Sequence, residues 1–407
     1  MSHRQTVEEI VFDPQLSVPE KSERIIAYFA QQSGRGMAAA VECLIQTKDD
    51  RVSSFAATYL QMIPGGREEK TMAAERLRAA GPPLVRSAAR LVPWLPGDLL
   101  DGFVADYLAD PEPNSPRSSV LFNIAVYEPE RLRPYADRIE SDSIQRSLLS
   151  GAPDVLVDAF LESWREDEDI DTLHALALIR TEHAADVIQS LREEIEEPED
   201  WEALIELAGR LPETGASSGY RPSFMGFVVD THESDHVMGG TYPGDVPLCP
   251  LCEAPAERVL TIAADSVPFD LSQDPSFFWY SCDCRALDST TVRIGGSGRT
   301  VYFGPQGPAR SGSTLVPGER SMALEPHPNQ TGVSLEAIPG QFLHQVGGLP
   351  NWSEADLHPV CPECGKSMPF LASIDSGHTP FGPMGFNGTL YGFWCDGCHV
   401  SSTKFQS

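Results

Sequence analysis

Four close pairs of cysteines in the second half of the chain constrain its fold more than any other feature. Three pairs have the spacing C-x-x-C and one has C-x-C; they are Cys249/Cys252, Cys282/Cys284, Cys361/Cys364 and Cys395/Cys398. Each pair can place two thiolates on one metal ion, and a second pair about thirty residues further on can complete a tetrahedron. The sequence therefore predicts two structural Zn²⁺ sites.

The cysteines belong to an internal duplication. In the first copy, Gly239-Gly240 precedes Cys249-Pro-Leu-Cys252, and an aromatic segment then leads into the second cysteine pair. The second copy repeats this order, with Gly347-Gly348 before Cys361-Pro-Glu-Cys364. We expect one site from Cys249, Cys252, Cys282 and Cys284, and another from Cys361, Cys364, Cys395 and Cys398. Pairing across the two copies is the alternative.

Other uses of these cysteines fit the pattern less well. Cys395 to His399 matches the C-x-x-C-H haem-attachment motif, but a partner C-x-x-C upstream favours zinc. Thioredoxin-like chemistry would need a C-x-x-C at the start of a helix. An iron–sulfur cluster would use the same cysteine ligands, but the aromatic strands and turns around the cysteines resemble those of a zinc ribbon and favour zinc. Four cysteine ligands leave no open position for a substrate, so a catalytic zinc is not expected.

Residues 18–212 are predicted to be helical, because proline and glycine recur at intervals that leave segments of helix-hairpin length. Helical spacing is clearest in three stripes: Ile170, Leu173, Leu176 and Ala177; Ala184, Val187, Ile188, Leu191 and Ile195, with Thr181 as the cap; and Trp201, Leu204, Ile205 and Ala208. We expect a HEAT-like α-solenoid, with a globular bundle as the alternative. Cys43 is predicted to be a buried helical residue.

Beyond residue 212 the composition changes from helical to β-rich, so an α+β multidomain protein is expected. Residues 213–223 are the predicted linker, followed by a first zinc-binding β module over 224–340 and a second over 341–407. Predicted strands are Phe224–Val229, Arg258–Ala263, Phe277–Ser281, Thr291–Ile294, Thr300–Phe303, Pro369–Ile374 and Thr389–Trp394.

The net charge of −29 argues against nucleic acid and anionic membranes as partners. The N-terminus lacks a secretory signal pattern and no apolar run is long enough to span a bilayer, so the cytoplasm is the expected location. Acidic runs at 166–169 and 193–200 could dock a basic protein surface, although a solvated helix face is the simpler interpretation.

The second copy carries a family resemblance in three segments: His344 to Trp352, Cys361 to Asp375, and Gly388 to Cys398. These resemble the bacterial YwqG-like family, which is related to the eukaryotic programmed cell death protein 2 and to yeast Tsr4. Ser373 stands where that family usually has Gln. The resemblance covers roughly residues 225–407 and implies a duplicated β-rich fold. It further implies a chaperone role, as in eukaryotic members, or toxin immunity, as suggested for some bacterial ones.

The sequence therefore favours a protein that binds another protein, possessing two structural zinc ions and no enzymatic activity. The partner is expected to be a toxin or a basic client protein; the oligomeric state is left open. A metal-dependent hydrolase is the alternative, because the segment 230–236 places His232, Glu233, Asp235 and His236 close together.

Overall fold

The computed structural model describes residues 2–32, 34–212, 221–282, 284, 289–295, 298–301, 306–331, 344–352 and 358–407. Residues 213–220 of the predicted linker, and Tyr302 and Phe303 of one predicted strand, lie outside these ranges. The described chain divides into an N-terminal helical region and a C-terminal β-rich region.

The described part of the helical region contains thirteen α-helices and two 3-10 helices, Leu84–Trp94 and Arg133–Arg138. The α-helices are α1 (His3–Phe12), α2 (Val18–Ala30), α3 (Gly36–Gln46), α4 (Asp50–Gln61), α5 (Arg67–Ala80), α6 (Gly97–Ala109), α7 (Pro116–Tyr127), α8 (Pro129–Leu132), α9 (Asp142–Ser147), α10 (Asp154–Asp167), α11 (Ile170–Ala177), α12 (Glu182–Ser190) and α13 (Pro198–Leu207). Every described helix is too short or too polar to cross a bilayer.

Local sequence explains where several helices begin. Ser17 accepts a hydrogen bond from the Glu20 N–H, and the Glu20 carboxylate accepts one from the Ser17 N–H at 2.7 Å, which forms a capping box at the start of α2. Thr181 caps α12 through the Ala184 N–H at 3.2 Å, as predicted.

Two apolar cores hold the helical region together. One extends from Val7 to Leu148, and the other from Ala152 to Ala208. The second core contains the predicted stripe of Trp201, Leu204 and Ile205. Cys43 is fully buried in the first, and burial raises the pKa of its thiol to about 12, which confirms it as an inert core residue.

The β-rich region is built on one antiparallel sheet of eleven strands, in the order β5-β4-β2-β9-β1-β10-β11-β14-β15-β6-β7. Two small sheets pair β3 with β8 and β12 with β13. The strands are β1 (Phe224–Val229), β2 (Val237–Met238), β3 (Asp245–Pro247), β4 (Glu257–Thr261), β5 (Ser276–Trp279), β6 (Ser289–Gly295), β7 (Gly298–Val301), β8 (Gln306–Pro308), β9 (Arg320–Pro326), β10 (Gln345–Val346), β11 (Phe370–Asp375), β12 (His378–Thr379), β13 (Gly382–Pro383), β14 (Thr389–Cys395) and β15 (Val400–Gln406).

The large sheet curls into a nearly closed barrel. Edge strand β5 approaches β15 and β6 from the other end of the strand order. Trp279 of β5 stacks on Phe405 of β15 with ring centroids 6.0 Å apart. Gly392 of β14 allows Phe277 to pack closely, because a Cβ atom at Gly392 would lie 2.8 Å from the phenyl ring.

The strand order is symmetric about the central pair β1–β9. On one side of the centre lie β9, β2, β4 and β5; on the other lie their counterparts β1, β10, β11 and β14. The backbone contacts correspond as well, since Gly226 donates to the His344 carbonyl at 2.7 Å and Met322 donates to the His236 carbonyl at 2.9 Å. The pair Phe227↔Ala323 lies at the centre of this correspondence.

The two copies exchange their leading strands. Strand β1 precedes the first copy in the chain but pairs with β10 of the second. Strand β9 precedes the second copy but pairs with β2 of the first. Each copy is therefore completed by a strand that precedes the other.

The helical region packs on this central strand pair. The Trp94 ring lies 5.9 Å from the ring of Phe227, and its indole N–H donates to Glu325 of β9 at 2.8 Å. The Gly65 N–H donates to the same carboxylate. The Lys70 ammonium lies 3.3 Å above the Trp94 ring, and burial lowers the pKa of Lys70 to about 7. The Trp94–Phe227 ring contact and two hydrogen bonds to Glu325 thus join the two regions.

Candidate metal centres

The structure brings the eight cysteines together in the two sets expected within each copy. Cys249, Cys252, Cys282 and Cys284 form one cluster, and Cys361, Cys364, Cys395 and Cys398 form the other. In each cluster the four sulfur atoms lie within 4.8 Å of one another. All nine cysteines of the chain are free of disulfides. Each cluster could hold one metal ion.

The first two cysteines of each cluster lie on a tight turn with the same hydrogen bonds in both copies. Cys249 N–H donates to the Ala254 carbonyl at 2.8 Å, and Glu253 N–H donates to the Cys249 carbonyl at 2.9 Å. In the second copy, Cys361 N–H donates to the Lys366 carbonyl at 2.8 Å, and Gly365 N–H donates to the Cys361 carbonyl at 2.9 Å.

The fifth residue of each turn adopts the left-handed conformation, with φ of 58° at Glu253 and 71° at Gly365. Glycine suits this position, whereas Glu253 accepts strain there. In both copies the first cysteine is buried and the second is exposed. The turn therefore fixes one ligand inside the protein and presents the next at the surface.

An aromatic strand leads into the second cysteine pair of each cluster: β5 ends before Cys282 in the first copy, and β14 ends at Cys395 in the second. The Sγ atoms of Cys364 and Cys395 are 3.8 Å apart. A tetrahedral zinc ion with Zn–S bonds of about 2.3 Å separates its sulfur ligands by about 3.8 Å, so this distance suits zinc. Cys398 is followed by His399, whose ring stacks on Trp394 at 6.2 Å.

The thiols of each cluster ionise unequally. Burial raises the pKa of Cys249, but hydrogen bonds from the N–H groups of Cys252 and Leu251 and from the thiols of Cys282 and Cys252 together lower it to about 7. The neighbouring Cys252 and then burial raise the pKa of Cys284 to about 12. In the second cluster the Lys366 N–H lowers the pKa of Cys364, whereas burial raises that of Cys395. A metal cation bound among the four sulfur atoms would favour their thiolate forms.

Apolar side chains surround both clusters. Phe278, Tyr280 and Val292 pack around the first, and Phe393, Tyr391 and Val400 around the second. Such a shell keeps water from the buried sulfur atoms of Cys249 and Cys361, whereas Cys252 and Cys364 are exposed. The donor set, the turn and the shell all suit a closed site that holds the fold together.

The histidine and acidic segment 230–236 does not assemble a further cluster. Among the residues that the structure describes, the two cysteine clusters are the groups of three or more His, Cys, Asp or Glu with converging ligand atoms. His232 lies in a turn at φ 72°, and its N–H donates to Ser321. His236 is 3% exposed, and its Nδ1 accepts a hydrogen bond from the Ala263 N–H at 3.0 Å.

His236 has a structural counterpart in His344, which the sequence analysis did not single out. His344 is also 3% exposed, and its Nδ1 accepts from the Asp375 N–H at 3.2 Å. Ala263 and Asp375 each lie fourteen residues after the first cysteine of their copy. The signal was present as His-x-x-Gly-Gly at 236–240 and 344–348. Both imidazoles therefore fix backbone inside the sheet.

No family model matches the chain, and no solved structure matches it significantly. One similar protein is the uncharacterized protein YpfL of Salmonella typhimurium (strain LT2), which is 33% identical over 87 residues. This match covers 20% of the present chain and 19% of YpfL, so the chain spans about a fifth of that relative's length.

Proposed function

We propose that this chain is a non-enzymatic protein-binding module of the cytoplasm, stabilised by two structural Zn²⁺ ions. The observation that carries the proposal is the acidic, exposed surface of α10 to α13. Glu166 to Asp169 are all exposed, as are six acidic residues between α12 and the start of α13: Glu193, Glu194, Glu196, Glu197, Glu199 and Asp200. Most apolar side chains of these helices pack in their own core, whereas Val155 and Ile170 are exposed.

The charge of this surface indicates the type of partner. Several arginines elsewhere are engaged in ion pairs, such as Arg78 with Asp106 at 2.7 Å and Arg131 with Asp101 at 2.6 Å. With 59 acidic and 30 basic residues, a large excess of carboxylate is left for solvent or for a partner. A basic protein surface complements this field and would associate rapidly.

The metal assignment supports a structural rather than a catalytic role. Four thiolates complete the tetrahedral shell of Zn²⁺ and leave no position for water or substrate. We propose that Cys249, Cys252, Cys282 and Cys284 hold one ion, and that Cys361, Cys364, Cys395 and Cys398 hold the other.

The proposal extends to the architecture and the biological role. Successive helices such as α3 with α4 and α10 with α11 contact each other, which suits a HEAT-like solenoid that presents a binding surface. The matching turns and strands of the two copies suit membership of the YwqG-like family. A toxin bound by an immunity protein, or a basic client bound by a chaperone, would each use such a surface.

Affinity capture from the native host followed by association kinetics tests the proposal. We expect a basic partner whose association rate falls steeply between low and physiological salt, because surface charges are screened within about 8 Å at 0.15 M. The variant Glu166→Lys/Asp167→Lys should slow association about tenfold at low salt. This double variant keeps Asp169, which caps α11 by accepting a hydrogen bond from the Asp171 N–H at 3.1 Å.

The matched control is Glu23→Lys/Glu75→Lys, which makes the same charge change at exposed sites on α2 and α5. The proposed surface would be contradicted if the captured partner is acidic or if its association rate does not depend on salt. It would also be contradicted if both double variants slow association equally.

A further inference from the structure

A cavity of about 180 Å³ lies where the end of the helical region meets the second copy of the β-rich region. A cavity of about 150 Å³ can hold a molecule of the size of benzene, so this space admits a small organic group. Its lining combines ionisable side chains with apolar walls: Glu206, Arg210, Arg221, His358, Leu349 and Phe370.

Two of the ionisable groups are already satisfied by the protein. The Glu206 carboxylate accepts a hydrogen bond from the His358 N–H at 3.0 Å. Arg210 forms an ion pair with Asp186 at 2.7 Å and contributes little net charge to the cavity.

Arg221 supplies a largely buried guanidinium, which lies 5.5 Å from the centre of the Phe269 ring and interacts electrostatically with Asp396. Among the described residues it has no ion pair, and burial lowers the pKa of its guanidinium. The acidic group that acts on it is Asp396, whose carboxylate is bonded to the Trp394 indole at 2.8 Å and to the Ser272 N–H at 2.9 Å. Gly348 N–H donates to the Arg221 carbonyl at 2.8 Å, which fixes this residue beside the cavity. A poorly hydrated guanidinium favours a carboxylate in its donor plane.

The first copy shows that the empty space is not a requirement of the fold. There, the counterpart of Phe370 is Arg258, which donates to the Gly239 carbonyl at 2.7 Å and pairs with Glu319 at 3.4 Å. In the second copy Gln345 makes the matching bond to the Gly347 carbonyl at 2.8 Å. Ser223 stands at the counterpart of Glu319. An internal ion pair thus occupies these positions in the first copy, whereas the second copy has Phe370 and Ser223 there.

We propose that this cavity binds a carboxylate that carries a short apolar group, with Arg221 donating to the carboxylate and Leu349 and Phe370 packing on the apolar group. The carboxylate belongs either to a small organic acid or to the C-terminal residue of a polypeptide, since both present the same chemistry. The site is independent of the acidic surface proposed above.

Calorimetric titration of the full chain tests the site with N-acetyl-L-leucine and with N-acetyl-L-leucinamide, which lacks the charge. We expect the acid to bind at least tenfold more tightly than the amide. Arg221→Met should weaken binding of the acid about tenfold or more, because a charge-assisted hydrogen bond is lost. Arg117→Met, at an arginine paired with Asp110 at 3.4 Å on α7, should leave binding unchanged.

Leu349→Trp fills the cavity from its apolar side and should abolish binding even if Arg221→Met fails to fold. A tetrapeptide with a free C-terminal leucine distinguishes the two sources: tighter binding than N-acetyl-L-leucine indicates a polypeptide end, and weaker binding indicates a small acid. Three results would overturn the proposal. They are equal affinity for the acid and the amide, no measurable binding of either compound, and unchanged affinity for the acid in a folded Leu349→Trp variant.

Discussion

Acidification should destabilise the β-rich region through the buried imidazole of His344. Burial lowers the pKa of His344 from 6.5 to about 4, and its Nδ1 accepts a hydrogen bond that requires an unprotonated nitrogen. As the pH falls below 6.5 the unfolded chain takes up this proton first. The neutral imidazole's contribution is therefore fully present above pH 6.5 and is lost progressively down to about pH 4.

The expected magnitude follows from the size of the shift. One pKa unit corresponds to about 1.4 kcal/mol, so protonation of the unfolded state at this one position should cost about 2 kcal/mol between pH 6.5 and pH 5. Because other groups titrate in the same range, the effect must be isolated as a difference between two proteins.

The variant His344→Asn provides this difference, because the amide oxygen of asparagine can replace Nδ1 as acceptor but cannot be protonated. We expect the wild-type free energy of unfolding in urea to exceed that of the variant at pH 7.5. This gap should shrink by about 2 kcal/mol between pH 6.5 and pH 5. His174→Asn on α11 is the control for removing an exposed imidazole. If the difference in unfolding free energy between the wild type and His344→Asn stays constant or widens over this range, the reasoning is refuted.

Two further predictions concern the metal centres and the closure of the sheet. Cys395→Ser should bind one zinc ion per chain instead of two by elemental analysis. The thermal transition of its β-rich region should move to lower temperature while the helical circular dichroism persists, and two retained ions would exclude the assignment. Gly392→Ala should lower the free energy of unfolding by about 1 to 3 kcal/mol, because the new methyl group would lie 2.8 Å from the Phe277 ring. Adding Phe277→Leu should restore part of this stability in a thermal unfolding experiment. If it restores none, the strain lies elsewhere.

Sequence periodicity located α11, α12 and α13, because their buried stripes are strongly apolar. Strand β1 was predicted with its observed bounds, and β14 to within one residue. Helix α1 was missed, since its buried residues are only Val7 and Val11, although Ser2 and Gln5 form a capping box that marks its start.

Strands β9 and β15 were also missed. The β15 sequence, Val-Ser-Ser-Thr-Lys-Phe-Gln, is polar, yet Ser401, Ser402 and Thr403 are buried between β14 and β6. Their hydroxyls find partners on the neighbouring strand, as Ser402 does with Thr291 at 3.0 Å. Polar residues satisfied only after sheet assembly leave no hydrophobic pattern in the sequence.

The cysteine spacing predicted the composition of both clusters, because ligands to one ion must be close in space and their order was repeated. The cavity beside Arg221 could not be predicted in this way. It arises from the meeting of α13 with the second copy and from the difference between Phe370 and Arg258, and both depend on tertiary packing.

The exchange of leading strands has a consequence for synthesis. Strand β1 emerges from the ribosome long before β10, its partner, and more than a hundred residues separate Phe224 from Val346. The helical region can complete its cores meanwhile, whereas β1 remains without its neighbours until β9 and β10 are made. Because such distant pairings form slowly and leave strand edges open, we expect the nascent β-rich region to be the part of this chain most prone to aggregation.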